Sequence, residues 1–377
     1  MSTDDTAPAR GTGLSFRLGR IPVLMPWSSF LGIGVIAFLW LDSFRLDGSD
    51  PTRTFVLAAV FAVLFYVCIL GHELAHAYVA RAVGYPVRSI TLWALGGYTS
   101  YERARSSAWR EGLIALSGPV SSVLIGVACN LAAYSSLGDD PRAYAVLHAL
   151  GFSSIVLGIY NALPGLPLDG GAVLKALIWG ASGNERRATV VAAWSGLVTA
   201  LVVFAVPQWL RARAGLAPDL QSIVFGLLIS GYLAQGAWAT LKQADVTARV
   251  PGLTTQRLAR PAVVVAADTP LAEALRRRDE GRAGAMVVVD AEGRPRAIAQ
   301  DVAVEAVPVE RRPWVPVSSV SAALDPRAVL PADLNGEALL QAMIAFSAPY
   351  YLVVDAGGTW SGVLATSDVE AALAGHR

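Results

Sequence analysis

The chain has 377 residues, 54% of them hydrophobic and only 16% charged, with a formal net charge of +1. That balance lies outside soluble averages and belongs to a membrane protein, and the near-neutral charge gives no reason to expect a nucleic-acid partner. The two cysteines, Cys68 and Cys129, sit in apolar runs and supply no disulfide framework.

Residues 1–20 are polar, carry Arg10, Arg17 and Arg20, and lead into an apolar run without a small-residue cleavage site. They read as a short cytosolic tail. Apolar length, at roughly 20 residues per crossing, then places about six transmembrane helices near 21–41, 54–80, 112–137, 143–163, 187–210 and 220–241. The second holds the most informative residues, His72-Glu73-Leu74-Ala75-His76, whose two histidines and glutamate are the only side chains between Phe55 and Ala80 that ionise near neutral pH. Ionisable groups at bilayer depth are costly and default to a functional reading. Histidines at i and i+4 share a helix face and can both ligate zinc, with the intervening glutamate placed as a base for a water molecule. Cys68, one turn before His72, reads as a small hydrophobe and not as a ligand.

The 81–111 connection carries Arg81, Arg88, Arg103, Arg105 and Arg110, and the 164–187 connection carries Lys175, Arg186 and Arg187. On the other side Arg45, Arg53 and Arg142 are offset by acids, so both termini are expected in the cytosol of a multi-pass plasma-membrane protein. Within the first connection, 87–102 alternates and breaks at Gly96-Gly97, which predicts a strand pair. It reads equally as a structural hairpin or as an edge that holds an unwound substrate.

A zinc site needs a third protein ligand. Within the six spans Glu73 is the only carboxylate, and His148 lies towards the outer face. The irregular stretch after the fourth span adds Asp169, in Asn161-Ala-Leu-Pro164-Gly-Leu-Pro167-Leu-Asp169-Gly170. Its prolines and glycines predict a membrane-embedded loop and half-helix, tolerated at depth only against protein or a wet cavity. Two histidines and a carboxylate with a fourth position open to water make a catalytic zinc arrangement. Asn161 is then placed to donate a hydrogen bond to a developing oxyanion.

After a linker at 243–250 the composition becomes soluble, with a repeat of about 64 residues that divides the remainder into 251–307 and 308–377. Glu273-Ala274-Leu275 leading to Val288-Val289-Asp290 recurs as Glu337-Ala338-Leu339 leading to Val353-Val354-Asp355. The fold class expected is therefore an α-helical polytopic membrane protein with a C-terminal α/β pair.

The HELAH helix followed about 90 residues later by Asn161, Pro164, Pro167, Asp169 and Gly170 resembles the site-2 protease family of intramembrane zinc metalloproteases, over 21–241. Gly96-Gly97 matches the family's glycine pair. Ser117-Gly118-Pro119-Val120-Ser121-Ser122 resembles its G-P-x-x-N element, with Ser122 where asparagine is usual. The resemblance implies one zinc on His72, His76 and Asp169, Glu73 as catalytic base, and Asn161 in the active-site loop. It implies a transmembrane protein substrate, such as an anti-sigma factor or another single-span regulator, cut within the lipid. The C-terminal repeats resemble a tandem pair of CBS domains. For those, an adenosine nucleotide at Thr366 and Asp368 is one reading, and homodimerisation or a structural role is the reading that the degenerate signature Gly362–Asp368 favours. The alternatives to a protease are a CBS-gated transporter or channel, which predicts acids on several spans, and a catalytically silent scaffold.

Overall fold

A computed structural model describes residues 13–45, 50–94, 96–102, 107–217 and 219–375 of the chain. Arg10, Arg103 and Arg105, used above for orientation, lie outside the described residues. The chain divides into two units, Met1–Ala244 and Asp245–Arg377.

Proline shortens the first expected span. Pro22 and Pro26 fix φ, and two prolines four residues apart would each cost a helix a backbone hydrogen bond; Ile21–Pro26 instead forms a strand (β2) paired antiparallel to Gly13–Leu18 (β1). Residues 13–18 of the expected tail are thus part of a sheet. Helix α1 begins only at Trp27 and ends at Leu39, about 20 Å long against the roughly 30 Å of a hydrocarbon core. The helices long and apolar enough to cross a membrane number five among the described residues. They are α2 (Pro51–Ala82), α3 (Ala108–Ala133), α4 (Pro141–Asn161), α6 (Glu185–Arg213) and α7 (Leu220–Arg249), with the shorter α5 (Asp169–Ser182) between α4 and α6.

Helix α2 is apolar all round, but only one stripe of it faces protein. Ala58, Phe61, Ala62, Tyr66, Ile69, His72, Glu73, His76, Ala77 and Ala80 are buried at helical spacing, whereas Phe55, Val56, Val63 and Val67 are exposed. The HExxH residues lie on the protein-facing stripe. The expected strand pair forms as Val87–Trp93 (β3) and Gly96–Tyr101 (β4). Strand β3 also pairs parallel with β2, giving the order β1-β2-β3-β4 with β4 at one edge. Ile21, Val23, Ile90 and Leu92 of this sheet pack on Tyr66, Ile69 and Ala77 of α2. Ser29 donates to the Leu92 carbonyl at 2.6 Å, which ties the sheet to α1.

The embedded loop between α4 and α5 finds its hydrogen bonds on α6. The Leu166 amide donates to the Ala192 carbonyl at 3.1 Å, and the Ser195 and Thr199 hydroxyls donate to the Pro164 carbonyl. Irregular backbone at membrane depth requires such partners, and the loop they hold delivers Asp169 to the first turn of α5.

In the second unit the expected linker is helical. Residues 243–249 contain no glycine or proline and continue α7, which ends before Pro251. Two α/β repeats follow. The first contains α8 (Thr255–Leu258), β5 (Ala262–Ala266), α9 (Leu271–Glu280), β6 (Ala285–Val289), β7 (Pro295–Ala299), α10 (Asp301–Glu305) and β8 (Ser321–Ala323), its strands in the order β5-β6-β7-β8. The second contains β9 (Val329–Pro331), α11 (Gly336–Ala345), β10 (Tyr350–Val354), β11 (Trp360–Ala365) and α12 (Thr366–Ala374), in the order β11-β10-β9. Period-two alternation in β6 sends Met286 and Val288 to the first repeat's core and Ala285 and Val287 to a core shared with Val363.

The boundary at 307/308 is not where the repeats part. Val317 and Val320 pack in the first core and β8 pairs with β7, so the lead-in of the second repeat belongs to the first sheet. Leu253 and Leu258, the lead-in of the first repeat, pack in the second core. Each lead-in covers apolar residues of the other repeat, which a division by sequence period alone does not reveal.

Candidate metal centre

His72 and His76 stand one turn apart on the buried face of α2, and Asp169 opens α5 opposite them. The two Nε2 atoms are 3.1 Å apart, and Asp169 Oδ2 lies 3.1 Å from His72 Nε2 and 3.3 Å from His76 Nε2. Zinc bonds of about 2.0–2.1 Å at tetrahedral angles put ligand atoms about 3.3 Å apart, so this triangle has the edge length of a zinc site. The three residues are the metal-capable cluster of three among the described residues.

The other ring nitrogens are committed elsewhere. His76 Nδ1 lies 2.7 Å from the Ile114 carbonyl, which can only accept, so Nδ1 carries a proton and, in the neutral ring, Nε2 is the nitrogen with a lone pair. His72 Nδ1 lies 2.8 Å from Ser122 Oγ, and Ser122 is 1% exposed. Such outer partners fix tautomer and ring plane in metal sites. Gly118 supplies the room: a Cβ there would run into Nε2 of both histidines. Two imidazole nitrogens and a carboxylate turned on one another, beside a space kept clear by glycine, suit a divalent cation. The residues therefore fit zinc.

Glu73 is 5% exposed, on the same face. Thr99 of β4 donates its hydroxyl to Glu73 Oε2 at 2.7 Å and also lies 3.1 Å from the Glu73 carbonyl. Two residues earlier on that strand, a side chain at Gly97 would strike the Glu73 carboxyl group. Metal cluster and glutamate open on a cavity of ≈ 950 Å³, whose wall includes Trp93, Tyr160, Asn161 and Tyr232. Asn161 donates one amide hydrogen to the Leu157 carbonyl at 3.1 Å and lines the cavity without touching the cluster.

The remaining sequence candidates fall elsewhere. His148 is exposed on α4 and pairs with Asn130 at 3.0 Å, and Cys68 packs against the apolar cluster that contains Phe61 and Val146, apart from the metal-capable residues. In the second unit the Thr366 hydroxyl donates to the Ala348 carbonyl at 2.6 Å. Asp368 receives Arg260 through Nε at 2.6 Å and Nη2 at 2.7 Å, and Arg260 Nη1 reaches Asp301 at 2.6 Å. The atoms nominated for a nucleotide are already partnered within the chain. Sequence reading missed Thr99 and the Ile114 carbonyl. Strand periodicity from Gly97 pointed towards Thr99, whereas no residue type announces a backbone carbonyl.

Residues 60–144 and 141–205 match the sequence pattern of peptidase family M50. Protein sll0528 of Synechocystis, named as a zinc metalloprotease, is 29% identical over 244 residues, which cover 63% of this chain and 61% of that protein. The chain thus spans about three fifths of the length of that curated relative. The site-2 protease structure from Methanocaldococcus jannaschii aligns over 60% of this chain and 95% of its own at 24% identity, with a TM-score of 0.42. The CBS domain of a bacterial CNNM/CorC family Mg2+ transporter aligns over 41% of this chain and 96% of its own at 16% identity, with a TM-score of 0.29.

Proposed function

We propose that this chain, whose stretch 60–205 matches the sequence pattern of peptidase family M50, is an intramembrane zinc endopeptidase that cleaves transmembrane segments of membrane-bound regulators. The observation that carries the reading is the triangle of His72, His76 and Asp169 donor atoms, with Glu73 beside it, among helices apolar enough for a bilayer.

His72 Nε2, His76 Nε2 and Asp169 Oδ2 would hold the ion. When bound, zinc would supply the Lewis acidity that water activation and carbonyl polarisation need. Glu73 accepts a proton from the attacking water as its oxygen bonds to the scissile carbonyl carbon. It then passes that proton to the leaving nitrogen as the carbon–nitrogen bond breaks. Asn161 keeps a second amide hydrogen after its bond to Leu157, free to meet the developing oxyanion. The edge strand β4 lines the cavity, and among the described residues it has no strand partner on its outer side. An extended, unwound substrate segment fits there by strand addition. Single-span regulators such as anti-sigma factors are the substrate class we assign, with both termini of the protease in the cytosol.

The second unit, which resembles a CBS pair, serves regulation or homodimerisation in this proposal. The commitment of Thr366 and Asp368 to Ala348 and Arg260 speaks against a nucleotide at those positions. Purified protein should hold about one zinc per chain and cut a membrane-spanning model peptide, with activity lost on chelation and restored by zinc. Glu73→Gln should keep the zinc and lose cleavage. Full cleavage by Glu73→Gln, or none by zinc-loaded wild type, contradicts the protease assignment.

A further inference from the structure

Strand β4 presents two residues of one face to Glu73. Gly97 and Thr99 are two apart and therefore project to the same side of the sheet. A side chain at Gly97 would strike the carboxyl group, while Thr99 donates to Oε2 at 2.7 Å. One position makes room and the other makes a bond. Thr99 is 8% exposed and Glu73 5%, so neither relies on bulk water for a partner. The seat is held by the ladder, in which Leu92 faces Gly97 and Ile90 faces Thr99. Ile90 and Leu92 are themselves packed on α2, the helix that carries Glu73.

We infer that Thr99 is a positioning residue for Glu73, fixing Oε2 so that Oε1 is the oxygen that takes the proton, and that β4 thereby joins substrate docking to base alignment. This rests on the protease reading and adds to it a residue and a means of selection. A free carboxylate rotates about χ3, a broad two-fold torsion. A charge-assisted bond to one oxygen selects a single orientation. Because β4 is also the edge offered to the substrate, a peptide that pairs along it holds Thr99 in place. Peptides that dock poorly should then lose turnover as well as affinity.

The test uses the full chain in detergent, zinc-loaded, with a fluorogenic membrane-spanning peptide. Thr99→Val keeps the shape and removes the hydroxyl, Thr99→Ser restores it, and Gly97→Ala crowds the carboxyl group with Thr99 intact. Thr99→Val should lower kcat by about tenfold or more, the scale of outer partners in metal sites. KM should stay within about twofold, with zinc content and melting temperature unchanged. Thr99→Ser should recover most of the loss, and Gly97→Ala should lower kcat while keeping zinc. Wild-type kcat in Thr99→Val overturns the inference. So does a loss that comes with lost zinc or a lowered melting temperature, or one that serine does not repair. Wild type is assayed in parallel, and its inactivity would strike the protease reading instead.

Discussion

At the scale of single residues, the proposed site separates groups that would bind zinc from groups that would aim them. His72 and His76 were legible because a helix puts i and i+4 on one face. Asp169 was legible as the carboxylate of a proline-broken apolar segment. Ser122 stood in the sequence only as a departure from the family's asparagine, and the structure places it 2.8 Å from His72 Nδ1. Ser122→Ala should therefore weaken zinc about 10–100-fold, as loss of an outer partner does. Ser122→Asn, whose side-chain amide can also pair with Nδ1, should weaken it less. Competition with a chromophoric chelator measures both. Gly118→Ala is a sharper case. In an ordinary helix interior that change stabilises by about 1 kcal/mol. Here the added Cβ meets Nε2 of both histidines, so the variant should fold and lose zinc. A Gly118→Ala protein with full zinc affinity would show that the space beside the histidines is dispensable.

At the scale of elements, composition located the spans but could not orient them. Helix α2 is apolar on every face, so its sequence does not say which stripe meets protein and which meets lipid. Ala62 and Ala77 are fully buried, whereas Val67 is 58% exposed. Ala77→Leu should cost about 1–3 kcal/mol by overpacking, and Val67→Leu should stay within about 0.5 kcal/mol, both read as unfolding midpoints in one detergent. Equal effects would mean that the buried stripe of α2 is misassigned. The first span came out too long in the sequence reading because hydropathy does not register that Pro22 and Pro26 steer 21–26 into a sheet. The β3–β4 pair was legible from alternation and the glycine break. That β4 ends up under Glu73 is a tertiary fact, set by the packing of the sheet on α2.

At the scale of the whole molecule, the sequence period revealed two repeats in the C-terminal unit but not the exchange of their lead-in segments. That exchange depends on which apolar face each segment finds once folded. It brings Arg260, just after the first lead-in, between Asp301 of one repeat and Asp368 of the other. Arg260→Met should lower the stability of this unit by about 1–3 kcal/mol, the scale of charged hydrogen bonds, seen as an earlier unfolding transition of the full chain. Adenosine nucleotides should leave the wild-type transition in place. A nucleotide-dependent rise would mean that the Arg260 clasp yields to a ligand.

Zinc X-ray absorption on the purified full chain, beside its Asp169→Ala variant, tests the proposed zinc site most directly. The expected first shell is nitrogen and oxygen at about 2.0–2.1 Å with two imidazoles, reduced by one light atom, or emptied, in Asp169→Ala. A sulfur ligand, or a shell that Asp169→Ala leaves unchanged, would contradict it.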